Sequence, residues 1–130
     1  MSAFDVSRNG TLTSIGAGPF ADDQTAPCWV EITHDGRYLF AVNTAVPSIS
    51  RYAIAADGAL TLIGSTPLSG AAELAPVDAR LTPNGSTLYV VDGGGVSVSA
   101  FAVHGGNLHQ LASSPTPLPA GSSPVGIVVN

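Results

Sequence analysis

The chain has 130 residues, 45% of them apolar and only 10% charged, enough to bury a core and too apolar to stay disordered. Nine acids against four arginines and no lysine leave a net charge of −5. That balance argues against nucleic acid and against an anionic membrane surface, since both require clustered cations. No apolar run approaches the roughly eighteen residues of a membrane-spanning helix.

The periodicity predicts short strands from the first residues onward. A strand over 3–6 is followed by an Asn9-Gly10 turn and a strand over 12–15. A Pro-bearing loop leads to 28–33, whose Asp35-Gly36 turn suits a tight two-residue hairpin to 38–43. Strand 49–54 alternates apolar and polar residues, and Asp57-Gly58 returns it along 60–63. The series then repeats as 77–82, Asn84-Gly85, 87–92, 98–103, Gly105-Gly106 and 108–111, with a last strand over 125–130. No window has a sustained period of 3.6, so helix content is expected near zero.

The recurrence is a true repeat. Phe4, Tyr52 and Phe101 fall 48 and 49 residues apart, and Pro27, Pro76 and Pro124 fall 49 and 48 apart. Gly10, Gly58 and Gly106 keep a period of 48, as do Leu12, Leu60 and Leu108. Turn glycines, strand side chains and loop prolines thus share one period. A sandwich does not repeat its sequence, and solenoid coils repeat at shorter intervals; four strands in about 48 residues is the signature of propeller blades. The fold class expected is all-β: a partial β-propeller of about two and two-thirds four-stranded blades. Residues 1–18 form a half blade, 19–66 and 67–114 two blades, and 115–130 a lone inner strand.

Two stretches carry a family resemblance: Ala26-Pro27-Cys28-Trp29-Val30-Glu31-Ile32-Thr33-His34-Asp35-Gly36-Arg37-Tyr38-Leu39-Phe40-Ala41-Val42-Asn43 and Ser50-Arg51-Tyr52-Ala53-Ile54-Ala55-Ala56-Asp57-Gly58-Ala59-Leu60-Thr61-Leu62. They resemble the repeat of the lactonase-type seven-bladed propellers, which include 6-phosphogluconolactonases and carboxymuconate cyclase-like proteins. The resemblance implies the C-terminal portion of such a ring, or a short relative, and a hydrolase activity for the ring as a whole. Active members carry a His two residues after the inner-strand Pro; those positions here hold Trp29, Asp78 and Gly126. No catalytic residue is therefore assigned. The segment is expected to be non-catalytic by itself, or to contribute to a lactone hydrolase only when the ring is completed.

Propeller ligands bind over the central channel, on the face of the loops that enter the inner strands. Five of the nine acids map there: Asp22, Asp23, Glu73, Asp78 and Asp92. They could supply a base or bind a cation, or simply cap turns and keep the loops solvated. Asn43 and Asp92 are repeat-equivalent and end the second strand, where Asx side chains satisfy loop amides. Trp29, near the channel mouth, is suited to stacking on a ligand ring or packing on a neighbouring blade. The candidate ligand-binding residues are Trp29, Asn43, Glu73, Asp78 and Asp92, for a small molecule. On the polar parity of adjacent inner strands, Glu31 and Arg80 are expected at one level of the ring, close enough to pair.

His34, His104 and His109 map to turns on the opposite face with no third ligand at metal spacing, so no metal or cofactor is implied. Cys28 lies on the apolar parity of its strand, which reads as a buried thiol; as the single cysteine it leaves the compartment open. Strands 3–6 and 125–130 present unguarded edges, from which a homo-oligomer joined through the terminal blade edges is expected, without nucleic acid or membrane.

Overall fold

The computed structural model describes residues 1–70 and 73–130. Ala71 and Ala72, which precede Glu73 in the loop that enters the second blade, lie outside that description. The described residues form no helix and three antiparallel sheets. Strands β1 (Phe4–Val6) and β2 (Leu12–Ser14) pair as a half blade. Strands β3 (Pro27–Ile32), β4 (Tyr38–Asn43), β5 (Ser48–Ile54) and β6 (Leu60–Pro67) form the first blade in sequential order. The second contains β7 (Pro76–Leu81), β8 (Thr87–Asp92), β9 (Ser97–His104) and β10 (Asn107–Gln110), with β11 (Thr116–Pro117) also pairing with β9. Its outer strand is split: Leu111 N–H donates to Ala100, Ala100 N–H to Ser114 Oγ, and β11 resumes the ladder at Val98.

The middle strands are buried on both faces. Within β4, Phe40 and Val42 point towards the second blade and join Ile49, Leu81, Leu88, Val90 and Phe101 in the main core. Leu39 and Ala41 point the other way and, with Tyr52, pack near Met1, Ile54, Leu60 and Leu62. This two-sided burial explains why the β4 sequence is a continuous apolar run rather than an alternating one. Phe40 and Phe101 are wholly buried, and truncating either to Ala should cost about 3–5 kcal/mol.

Three features differ from the sequence reading. The Asp35-Gly36 and Asn84-Gly85 turns are longer than two residues, because Thr33 and Thr82 N–H close the hairpins onto Tyr38 and Thr87. Only Gly36 and Gly85 take positive φ, each 70°, while the preceding Asx accepts from the threonine hydroxyl and from the amide two residues on. Those bonds, the Thr33 hydroxyl first and then Arg37 N–H, hold the Asp35 carboxyl below its ordinary range. Second, Cys28 is exposed. The β3–β4 register shifts between Pro27 and Trp29, which makes Cys28 the extra residue of a β-bulge. An equivalent shift falls at Val77 in β7. No residue of β3 is buried on either parity, so Cys28 is exposed with Val30 and Ile32 because nothing among the described residues covers them. Third, residues 125–130 form no strand: with no second strand beside them there is no ladder to join.

Candidate functional site

The channel-mouth face is built where β3 and β7 begin and where β4 and β8 end. Asn43 closes β4 opposite Pro27, and Asp92 closes β8 opposite Pro76. Both are fully buried. Asn43 Nδ2 donates to Ser48 Oγ at 3.1 Å and to Ser50 Oγ at 2.9 Å. These hydroxyls donate onward, Ser48 to Gln24 Oε1 and to Val46 O, Ser50 to Asp22 O, which ties the preceding loop to the blade. Asp92 Oδ2 accepts from Ser97 Oγ at 3.2 Å and Ser99 Oγ at 2.7 Å. Asn43 and Asp92 thus serve serine hydroxyls of the third strand and not the loop amides expected for them. Ser48 and Ser97, like Ser50 and Ser99, recur at the blade period, a signal present in the sequence but unread there.

Burial pushes the Asp92 carboxyl above its ordinary range, against the opposing bonds from Ser99 and Ser97. Tyr52, whose hydroxyl donates to Ala21 O, is pushed up to about 12, by burial first and then by the charges of Asp22 and Asp23. Asp22 itself caps its loop by accepting from Gln24 N–H.

Asp78 and Glu31 face the neighbouring inner segment. Asp78 Oδ1 accepts from Ala79 N–H at 2.7 Å, and Oδ2 from Ile127 N–H at 2.8 Å. Glu31 Oε1 accepts from Leu81 N–H at 3.0 Å, while Oε2 lies 3.4 Å from Arg80 Nη1. The expected pairing of Glu31 with Arg80 is therefore present, and the contact with Leu81 N–H is additional. In both cases an acid on one inner segment caps the amide one repeat position further along the next. Thr44 Oγ1, donating to Pro76 O at 2.8 Å, links the two blades at the mouth end.

The remaining candidates do not converge on these groups. Trp29 is exposed and borders a shallow apolar recess of about 270 Å³ with Met1, Pro27, Cys28 and Val30. Glu73 is exposed, with φ of 59°. The five candidates thus divide into a solvent-facing aromatic (Trp29), a solvent-facing acid (Glu73), a backbone clasp (Asp78) and two buried hydroxyl-bonded positions. On the opposite face His34, His104 and His109 are exposed, with the last two rings 5.9 Å apart; no group of three metal-ligating side chains occurs among the described residues.

Successive four-stranded sheets, bridged at their inner edges and entered by loops on one face, define a propeller segment. The chain belongs to the family of lactonases with a seven-bladed β-propeller, whose signature it matches over residues 2–127. No curated protein matches it. Among solved structures it is similar to a Lactobacillus plantarum protein, at 24% identity and a TM-score of 0.77, over 96% of this chain and 37% of that one. A candidate 6-phosphogluconolactonase of Bacteroides fragilis is 20% identical with a TM-score of 0.76, over 96% and 34% of the two chains. The periplasmic gluconolactonase of Pseudomonas aeruginosa is 20% identical with a TM-score of 0.70, over 95% and 37%. The chain spans about a third of the length of these proteins.

Proposed function

We propose that this chain is a scaffold segment of a lactonase-type propeller that does not hydrolyse lactones by itself. The engagement of Asp78 supports this reading most directly. The residue stands two positions after an inner-strand proline, where the family resemblance calls for a histidine, and both its oxygens bind backbone amides. An acid so engaged has both oxygens committed to the backbone as structural acceptors rather than turned to a substrate. Asn43 and Asp92, fully buried behind serine hydroxyls, are equally withdrawn from a ligand. Lactone hydrolysis then belongs to a completed ring, with a sugar lactone as the substrate class, in keeping with the gluconolactonase and candidate 6-phosphogluconolactonase among its structural neighbours. Small molecules would reach the mouth face past Glu73 and Trp29.

Self-association belongs to the same proposal. Trp29, Val30 and Ile32 on β3 stay exposed, whereas the equivalent strand β7 packs against β3 within the chain. A second copy presenting its second blade to β3 would repeat the interface already formed between the two blades. The activity reading is tested by incubating the purified chain with a sugar lactone and following acid release. Hydrolysis at the uncatalysed rate is expected. Turnover above it that is lost in Asp78→Asn or Asp92→Asn would overturn the proposal.

A further inference from the structure

Asn43 and Asp92 are the same position in successive blades, and their surroundings are the same. Each is fully buried, each faces two serines of the third strand, and in each the Oδ1 atom has no hydrogen-bond partner among the described residues. Asp92 Oδ2 takes the place that Nδ2 takes in Asn43. An amide in that place is neutral and donates; a carboxylate would be a charge removed from water.

The elements packed around Asp92 bring no counter-charge to it. Strand β9 contributes Ser97 and Ser99. Strand β7 contributes Asp78, bonded to Ala79 and Ile127, and Arg80, whose guanidinium reaches Glu31. The segment before β7 contributes Glu73, which is exposed. The ionisable groups on this side are thus acids, apart from an arginine already paired elsewhere.

We infer that Asp92 is held as the neutral acid, the counterpart of Asn43, and that its ionisation is a pH switch for the channel-mouth loop over 93–96. With the proton on Oδ2, the acid can donate to a serine oxygen as the Asn43 amide does. The loop it controls starts at the next residue: Gly93 N–H donates to Ala75 O, and Val96 O accepts from Leu118 N–H. Val96 has φ of 46°, a strained value for a β-branched residue that persists only while its surroundings hold it. A charge appearing at the base of this loop draws water towards Asp92 and loosens those contacts.

Burial raises the Asp92 carboxyl above its unfolded value of 3.8, so the folded state binds the proton more tightly. The stabilisation is therefore complete below 3.8 and is lost as pH rises through the raised folded value. Thermal unfolding of the full chain, of Asp92→Asn and of Asn43→Asp, at steps between pH 4 and pH 8, tests the switch. Asp92→Asn should melt with the wild type near pH 4 and about 3–6 °C above it at the alkaline end. Asn43→Asp should show the mirror image, a loss at high pH that vanishes near pH 4. Amide exchange of residues 93–97, corrected for intrinsic base catalysis, should quicken with pH in the wild type but not in Asp92→Asn. Should a variant fail to fold, an infrared carbonyl band of a protonated carboxyl in the wild type that survives above about pH 4–5, where ordinary Asp and Glu carboxyls ionise, decides. Its loss on raising the pH further supports the switch, and its absence above that range refutes it. A pH-independent gap between wild type and Asp92→Asn, or an Asp92→Asn less stable than wild type at neutral pH, also overturns it.

Discussion

Replacing Glu31 with Ala removes the two contacts its carboxylate makes across the blade boundary, and those contacts differ in worth. By the alternation of an antiparallel ladder, the Thr82–Thr87 bond leaves Leu81 N–H pointing away from β8, where Glu31 Oε1 meets it at 3.0 Å. A hydrogen bond to a charged acceptor contributes about 1.5–3 kcal/mol, and without it the part-buried amide is stranded. The Arg80 contact is longer, 3.4 Å, and the arginine side chain is 47% exposed against 11% for Glu31. Screening reduces such a pair to about 0–1 kcal/mol. Glu31→Ala should therefore cost about 2 kcal/mol, Arg80→Ala about 0.5, and Glu31→Gln, which keeps an acceptor for Leu81 without the charge, about 1. Equilibrium urea unfolding followed by far-ultraviolet circular dichroism resolves the three, and the fluorescence of Trp29, the only tryptophan, reports from the same strand. The reasoning fails if Arg80→Ala costs as much as Glu31→Ala, or if the Gln and Ala variants are equally destabilised.

Asp78→Ala should free the chain after Leu118, raising its proteolytic cleavage rate several-fold, while Asp78→Asn keeps an oxygen for Ile127 N–H and should stay close to wild type; equal cleavage of all three would remove the clasp. Light scattering at micromolar concentration should give a mass above the 13.0 kDa of one protomer, falling back towards it in Trp29→Ser; a monomeric wild type refutes self-association through β3.

The fold was legible because the repeat is written in residue types that have no other reason to recur together. Strands β4 and β8 coincide with the spans read from the sequence, since an apolar run between an Asx-Gly turn and a terminal Asx has few other structures open to it. What was misread depends on partners and register. The strand expected over 125–130 has suitable residues but no neighbour, and strand structure is a property of pairs. Cys28 lies on an apolar parity that is exposed throughout, with Val30 and Ile32, because burial, like pairing, needs a neighbour to pack against.

The site was harder to read for a related reason. The Asp35 turn was located in the sequence but its length was not, although its partners, Thr33 and Arg37, lie two residues to either side, within reach of turn chemistry alone. Ser48 and Ser50 lie within seven residues of Asn43, yet nothing about a serine marks it as buried until the β4–β5 register is known. Glu31 and Asp78 are the clearest cases. Their partners across the blade boundary are the backbone amides of Leu81 and Ile127, and an amide has the same chemistry under every non-proline side chain. Arg80 was found as the partner of Glu31 because its charge is visible in the sequence. The geometry makes that the longer and more exposed of the two contacts. The shorter contact of Glu31 was invisible because the group that makes it is common to nearly every residue.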